Sequence, residues 1–387
     1  MPANGSTTNW LLTDEPHRFG SGWISGTIGA VLGLAALSAA TSLRWPQLLT
    51  TPELRAHLPT WLPAATLAAA VLAFAFGLLS LLLRRKKTLG TIAVGGAVLA
   101  LPLLASASHP ANGSTEGPAF GFGLDVFTVQ LLVYSALFVP IERLWPQRNQ
   151  PTFRPEWWTD LAWFASSAVL VQITTFLVLT PGTTLAAVLP AFWRDGIAGL
   201  PLLVQFAGIV LVSDLVQYWV HRASHALPWL WRFHAIHHDA VAMDWLAGSR
   251  LHLVDAVLTR ALVFAAVMAV GFAPAAIGAY LVFVATQATF VHGNVGWRLG
   301  WLEPFLVTPR FHHWHHADSV QNVNFAVHLP WLDRLFGTHH LPREVWPERY
   351  GLGGGRRGPR GFWRQLLTTG SDRSVASDSA SRSGRTT

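Results

Sequence analysis

Long apolar runs constrain this chain more than any other feature of its sequence. Only 12% of its 387 residues are charged, whereas soluble domains carry roughly 25%. A membrane-spanning helix needs roughly 20 apolar residues, and runs of about that length recur along the chain. Because the bilayer core offers no hydrogen bonds to an exposed backbone, such runs predict helices. The sequence therefore indicates an integral membrane protein, all-α, folded as a polytopic helical bundle.

About eight apolar segments are the expected spans. They cover about 21–43, 61–83, 89–106, 125–141, 159–180, 201–220, 253–272 and 275–291. The first run is too long and starts too late for an ordinary signal peptide. Residues 181–200 are also apolar, but Pro and Gly interrupt them, so we expect them to lie along a membrane interface.

Basic residues predict the orientation of the spans. The cluster Arg84-Arg85-Lys86-Lys87 marks a cytoplasmic loop by the positive-inside rule. Counting crossings from it brings residues 221, 292 and 312–316 to the cytoplasmic side. The net charge of +7 sits largely in such loops and in the C-terminal tail, which favours membrane topology over nucleic-acid binding. The arginine-rich composition suggests a bacterial genome, and we expect a bacterial cytoplasmic membrane.

Fourteen of the seventeen histidines follow residue 220, and most of them fall into three tight groups. An α-helix brings residues i, i+3 and i+4 onto one face, so each group is expected to present its imidazoles to a common centre. Pro228 allows a turn between the first two groups, and Thr308 with Pro309 can start a helix before the third. The clustered set is His221, His225, His234, His237, His238, His312, His315 and His316.

The residue types in these groups narrow the chemistry. Neutral imidazole is a common ligand of Zn, Fe, Cu and Ni, and eight of them exceed what one tetrahedral zinc can use, so two metals are expected. The chain has no cysteine, no His-Glu-x-x-His and no Glu-x-x-His, which excludes thiolate sites, zincins and ferritin-like di-iron sites. We do not expect His313 to be a ligand, because it lies off the shared face. The isolated histidines are not expected to be ligands either: His17, His57, His109, His328, His339 and His340.

The order and spacing of these motifs resemble the fatty acid hydroxylase / sterol desaturase superfamily of membrane di-iron oxygenases. The pattern HxxxH, HxxHH, HxxHH runs from His221 to His316, and the similarity extends from about Glu142 to Thr338. It includes Asp214-x-x-x-Tyr218-x-x-His221, His292-Gly-Asn294 and Trp331-Leu-Asp333-Arg334-Leu335-Phe336-Gly337-Thr338. One departure stands at His252-Leu-Val-Asp255, where many members continue as His-Pro-x-Glu.

The resemblance implies a cytosolic histidine-rich helical cap that holds two iron ions, with zinc possible in purified protein. The eight clustered histidines would be ligands, with His292 as a ninth. Such proteins use O₂ to hydroxylate a fatty acyl, sterol or carotenoid-like lipid, and desaturation is the alternative outcome. Electrons would come from an external ferredoxin- or cytochrome-type system. No residues are expected to be catalytic beyond the metal centre.

Several further residues are expected beside the ligands. Asp214 stands inside an apolar run, where a carboxylate is costly and usually functional, and it shares a helix face with Tyr218 and His221. The side chains of Asp214 and Tyr218 can each orient a ligand through a hydrogen bond, or they can join two helices. Neutral ligands leave the charge of the metals unbalanced, and Asp239, Asp244, Asp255 or a bridging oxide or hydroxide can compensate it. His252, Asp255 and Asn294 belong to the motif segments and are expected around the ligands.

The domain organisation predicted from these features has three parts. Residues 1–124 would form an N-terminal extension with three spans, 125–340 the hydroxylase-like domain, and 341–387 a polar, disordered tail. Two other functions stay open: a non-catalytic metal-binding membrane protein, and a metal transporter that uses histidines as a relay. A relay needs polar residues along the spans, where only Asp214 and Arg260 stand out.

Overall fold

The computed structural model describes residues 20–55, 57–107, 123–188, 190–297, 299–354 and 356–368. Across these ranges the regular elements are helices, apart from two isolated β-bridges and one 3₁₀ turn at Ala247–Ser249. The helices are α1 Trp23–Arg44, α2 Pro46–Leu49, α3 Pro52–Arg55, α4 Leu62–Leu83, α5 Thr88–Ala105, α6 Leu124–Leu144, α7 Trp157–Val169, α8 Val171–Val188, α9 Ala191–Ala198, α10 Leu202–Ala226, α11 Pro228–His238, α12 Leu253–Val270, α13 Pro274–His292, α14 Pro309–His315, α15 Trp331–Leu335 and α16 Phe362–Leu367.

Within the described ranges, seven helices are long and apolar enough to cross a membrane: α1, α4, α5, α6, α10, α12 and α13. The bent pair of α7 and α8 is an eighth span if it is counted as one. The predicted all-α bundle of about eight membrane segments is therefore confirmed. Most of the segment 181–200 is helical, since α8 continues through Pro181 to Val188 and α9 follows it; its position along a membrane interface stays a prediction.

The chain divides into two compact units. The first comprises the described residues up to Pro140 together with 149–154 and 165–175, and the second comprises 141–148, 155–164 and the described residues from Phe176 onwards. The predicted three-part division into 1–124, 125–340 and 341–387 stays a prediction.

The first unit is built on close packing of α1, α4 and α5. Small residues let these helices approach until backbone touches backbone, as is usual where lipid offers no hydrophobic driving force. A Cβ added at Gly96 of α5 would stand 2.6 Å from the carbonyl oxygen of Gly33 in α1. Buried alanines line the same contacts: Ala36, Ala40, Ala70, Ala73, Ala97 and Ala100.

Gly96→Ala should destabilise this bundle. The added methyl group overlaps the Gly33 carbonyl, and overpacking of a tight interface costs about 1–3 kcal/mol. Gly95→Ala is the matched control, because a Cβ at Gly95 meets nothing within 4 Å while the gain in helix propensity is the same. The midpoint of thermal unfolding in detergent should fall for Gly96→Ala and hold or rise for Gly95→Ala. Equal midpoints for the two variants would contradict the proposed packing.

The second unit is organised around α10, α12 and α13. Their contact is apolar and contains Ile209, Val210, Val263, Val267, Ala276 and Tyr280. Gly271 ends α12 at φ 90°, a left-handed conformation that glycine adopts without a steric penalty, and α13 starts three residues later. This hairpin returns the end of α13 to the level at which α12 begins.

The C-terminal segment differs from the expected disordered tail. Residues 341–354 and 356–368 are among those the structure describes, and they pack against other segments of the second unit. The indole Nε1 of Trp163 donates to Gln365 Oε1 at 2.8 Å, and the Gly358 amide donates to Asp239 Oδ1 at 2.7 Å. The ring of Phe362 also packs edge-on against Trp163. Local composition could not show these long-range partners; residues 369–387 lie outside the described residues.

Candidate metal centre

Nine histidine side chains come together at the end of the second unit where α10 and α13 terminate. They form two groups, and within each group one ring nitrogen per residue lies within 4.8 Å of all the others. The five-histidine group consists of His221, His225, His234, His238 and His315. The four-histidine group consists of His237, His292, His312 and His316. The nine residues are the nine predicted ligands, and their arrangement in two groups fits the expected count of two metals.

The groups do not follow the sequence clusters, which corrects the expectation of one common centre per cluster. On α11, His234 and His238 face the five-histidine group, whereas His237 faces the other one. In the third cluster, His312 and His316 lie in the four-histidine group, whereas His315 crosses to the five-histidine group. In both clusters the i and i+4 residues stay together and the i+3 residue turns to the neighbouring group.

The two groups are in direct contact. The rings of His238 and His316 stack with their centroids 4.4 Å apart and an interplanar angle of 24°. The ring centroids of His237 and His238 are 5.6 Å apart, and those of His315 and His316 are 5.2 Å apart. Sequence neighbours in different groups therefore form the contact between the two groups.

Hydrogen bonds at Nδ1 fix the orientation of the rings. His221 Nδ1 donates to the Phe325 carbonyl at 2.8 Å, and His315 Nδ1 donates to the Val323 carbonyl at 2.8 Å. In the four-histidine group, His237 Nδ1 donates to the Arg250 carbonyl at 3.0 Å. These carbonyls can only accept, so each of the three rings carries its proton on Nδ1 and turns the lone pair of Nε2 inward.

The inward nitrogens fit bound metal. His221 Nε2 and His234 Nε2 are 3.1 Å apart, and His237 Nε2 and His292 Nε2 are 3.2 Å apart. The Nδ1 atoms of His234 and His292 face oxygen atoms, so each of these two pairs brings together two lone pairs that repel each other without a shared cation. Two nitrogens bound about 2.1 Å from one metal ion lie roughly 3 Å apart when they are neighbouring ligands.

Other ring nitrogens of the site are buried without a hydrogen-bond partner within the described part of the chain. Unpaired buried polar atoms are rare and call for an explanation such as an ion. Those on the predicted ligands are His225 Nε2, His238 Nδ1 and Nε2, His312 Nδ1, His315 Nε2 and His316 Nδ1. Metal coordination would satisfy one nitrogen on each of these rings.

Burial also keeps the imidazoles in the form that binds metal. It holds the pKa of His237 and His238 well below its usual value, and neighbouring histidines lower it further. The same two causes lower the pKa of His312, His315 and His316. Neutral rings, which are the ligand form of histidine, are therefore present throughout the physiological pH range.

Sequence comparison agrees with this geometry. Residues 206–338, which contain all nine histidines, match the family model described as fatty acid hydroxylase. Residues 206–338 are therefore a fatty acid hydroxylase domain. No solved structure matches it significantly.

Several curated members of the superfamily are similar to this chain. An ornithine lipid hydroxylase of Rhizobium tropici is 29% identical over 252 residues, covering 62% of this chain and 72% of the relative. A putative methylsterol monooxygenase of Dictyostelium discoideum is 26% identical over 246 residues, covering 57% and 85%. The alkylglycerol monooxygenase of Homo sapiens is 28% identical over 133 residues, covering 34% and 29%. All three names describe oxidation of lipids.

In the hydroxylase domain, Asp255 contacts a predicted ligand directly. Its Oδ2 lies 2.8 Å from His234 Nδ1, and both side chains are buried. A carboxylate in this position fixes the ring and raises the basicity of the opposite nitrogen. It also brings negative charge to the five-histidine group, as expected for one of the aspartates that could balance the metal charge.

Asp214 and Tyr218 orient the loop that carries Phe325. They do not orient a histidine ring directly. Asp214 accepts from the backbone amides of Val327, His328 and Leu329 at 2.8, 3.1 and 2.6 Å. The Tyr218 hydroxyl lies 2.8 Å from Thr338 Oγ1. Because the Phe325 carbonyl accepts from His221, Asp214 positions that ligand through the loop.

His252 and Asn294, the other two residues expected around the ligands, form hydrogen bonds with backbone groups. His252 caps α12, since its Nδ1 accepts from the Val254 amide at 3.1 Å. Asn294 stands two residues after the last residue of α13, and its side chain exchanges two 2.8 Å hydrogen bonds with the backbone of Arg148. The Glu142 carboxylate accepts from the Asn294 amide at 3.0 Å. Asn294 and Glu142 therefore fix the turn that leaves His292 at the site.

A buried ionic network supports the four-histidine group, and sequence reasoning did not assign it. Arg250 is fully buried; its Nε donates to Asp160 Oδ1 at 2.5 Å, and its Nη1 lies 3.0 Å from Glu156 Oε2. The carbonyl of the same arginine accepts from His237. The only signal in the sequence was Asp160, a carboxylate at the start of an apolar run.

The described histidines that were not expected to be ligands lie outside both groups. His313 is buried on the back of α14, where Nδ1 is 2.9 Å from the Tyr350 hydroxyl, and burial lowers its pKa to about 3. His328 lies 3.2 Å from the Tyr280 hydroxyl. His57, His339 and His340 are absent from the groups as well, and His17 and His109 lie outside the described residues.

Proposed function

We propose that this protein is a membrane di-iron monooxygenase that hydroxylates a lipid with O₂. The convergence of nine histidines, eight buried and His225 half-buried, into two adjacent groups with inward Nε2 lone pairs carries the proposal. The His221, His225, His234, His238 and His315 side chains would hold one ion. The His237, His292, His312 and His316 side chains would hold the other. Two irons, when bound, supply the activation of O₂ and the oxidation of an unactivated C–H bond.

The protein contributes orientation and exclusion of water. Backbone carbonyls and the Asp255 carboxylate lock the rings before metal binds, which lowers the entropic cost of assembling the site. Burial excludes bulk water from the centre, which limits side reactions of a strong oxidant. All-nitrogen ligation adds no negative charge, and Asp255, which contacts His234, is a carboxylate that can offset the charge of the five-histidine group.

Lipid hydroxylation needs two electrons and two protons in addition to O₂. The balanced reaction converts R–H, O₂, two electrons and two protons into R–OH and water. The sequence has no cysteine for a ferredoxin-type centre and no dinucleotide fingerprint before a helix. We therefore propose an external redox protein of the ferredoxin or cytochrome class as the electron donor.

The site would face the cytoplasm of a bacterial cell. The ends of α10 and α13 carry His225 and His292, and the start of α12 lies at the same level. The positive-inside rule puts the cluster at Arg84–Lys87 in the cytoplasm, and counting the apolar segments along the chain from that cluster favours the cytoplasmic side for this end of the second unit. Cytoplasmic exposure would also give the donor access to the metals.

Growth of cells with and without the gene under ¹⁸O₂, followed by lipidomics, tests the reaction and identifies the substrate. A hydroxylase adds one ¹⁸O atom to a lipid, whereas a desaturase removes two hydrogens without adding oxygen. The similarity to an ornithine lipid hydroxylase makes ornithine lipids the first class to examine. We expect an ¹⁸O-labelled lipid only in cells with the gene. Unlabelled lipids in those cells, together with purified protein that lacks redox metal, would refute the proposal.

A further inference from the structure

The short C-terminal helix α16 presents an apolar face outward. On α16, Trp363 is 70% exposed and Leu367 is 77% exposed. These residues are four positions apart and therefore lie on one side of the helix. The opposite side holds Gln365, which is 1% exposed, and Phe362, which packs on Trp163. Large exposed apolar side chains on one face of an ordered helix need a partner.

Contacts of α16 place it at the level where spans enter the membrane. His252, the N-cap of the spanning helix α12, lies with its Nε2 3.3 Å from the Leu366 carbonyl. On the other side, Trp163 of α7 donates to Gln365. The first turn of α7 carries Trp158, which is 53% exposed. Trp363 and Trp158 thus lie near the ends of membrane helices, where tryptophan collects in membrane proteins.

The segment around α16 is also strongly basic. Residues 349–368 contain five arginines and no Asp or Glu. Arg360 and Arg364 are exposed next to the apolar face. An exposed Trp–Leu face flanked by arginines is the pattern of a helix that lies in the plane of an anionic membrane surface.

We propose that residues 356–368 form an interfacial anchor. In this arrangement, Trp363 and Leu367 insert into the membrane in which the bundle resides, and Arg360 and Arg364 bind the phosphates of anionic lipid headgroups. The anchor also holds the Asp239 carboxylate through the Gly358 amide and the Gln365 side chain. The inference does not require bound metal or turnover, so it stands or falls separately from the proposed function.

The absence of native cysteine allows a direct test with one label per full-length chain in lipid nanodiscs. A bimane label at Leu367→Cys would report its surroundings through quenching by acyl-chain nitroxide lipids and by aqueous iodide. Val282→Cys, at a 70% exposed position of the spanning helix α13, is the lipid reference. Arg349→Cys, at a side chain 81% exposed, is the water reference. In discs containing phosphatidylglycerol, we expect the label at Leu367→Cys to be quenched by the two reagents in the same way as the label at Val282→Cys.

The arginines are tested in the same discs. Arg360→Gln with Arg364→Gln should shift the Leu367 label towards iodide, with about a five-fold loss of lipid association per arginine. Arg349→Gln is the matched control and should shift it little. The anchor is refuted if the Leu367 label behaves like the Arg349 label with and without phosphatidylglycerol. Shielding that appears only after an acidic soluble protein is added would also refute it, because the face would then bind protein rather than membrane.

Discussion

His315→Ala should abolish lipid hydroxylation while the protein remains folded in the membrane. His315 Nε2 points into the five-histidine group and is buried with no hydrogen-bond partner within the described chain. Removal of a residue that merely supports a ligand costs about 10–100-fold in metal affinity or activity, so removal of the ligand itself should cost more. Because His315 belongs to one group only, metal bound by purified protein should fall from about two ions per chain towards one.

Elemental analysis of anaerobically purified protein and ¹⁸O incorporation into lipid measure the two effects. His316→Ala should cause a similar loss of product through the four-histidine group. His340→Ala is the control, because His340 lies in neither group, and it should keep both metals and activity. Full turnover by His315→Ala with both metals bound would overturn the assignment of His315 as a ligand.

Asp255→Asn should weaken metal binding at the five-histidine group by about 10–100-fold. The substitution keeps the shape of the side chain but removes the charge that His234 Nδ1 faces at 2.8 Å. The amide oxygen can still accept from Nδ1, but a neutral partner no longer raises the basicity of Nε2 as a carboxylate does. The four-histidine group should keep its affinity, since none of its members contacts Asp255.

Titration of the metal-free protein with Fe²⁺ under anaerobic conditions measures this difference. Thr259→Val is the matched control: Thr259 Oγ1 donates to the other Asp255 oxygen at 3.4 Å, and its removal leaves the contact with His234 in place. A small effect of Thr259→Val beside a large effect of Asp255→Asn would identify the carboxylate charge as the cause. Equal Fe²⁺ affinities of Asp255→Asn and the unaltered protein would contradict the role.

The membrane helices and the ligand set were predictable because both depend on local sequence. The apolar run predicted at about 253–272 corresponds to α12 Leu253–Val270, and the run at 275–291 corresponds to α13 Pro274–His292. Thr308 caps α14 through the Phe311 amide, and Pro309 is its first residue, as predicted. Backbone desolvation and helix capping act over a few residues, so they leave a signal in the sequence.

Contacts over long sequence distances were not predictable. Carbonyl groups are identical in every residue, so nothing in the sequence distinguished Phe325, 104 positions from His221, as its acceptor. The same holds for Gln365, which meets Trp163 across 202 positions. The C-terminal segment consequently looked like a free tail, although its residues up to 368 pack against other segments of the second unit.

The sequence by itself determined that this protein crosses a membrane with helices and gathers a large set of imidazoles at one end. Only the tertiary structure decided how the imidazoles are shared between two metals. At about 100° per residue, His238 lies roughly 40° from His234 around α11, whereas His237 lies roughly 60° away on the opposite side. His237 and His238 therefore point to different sides of the same helix face. The packing of α10, α13 and α14 against it decides that His234 and His238 meet His221, and that His237 meets His292.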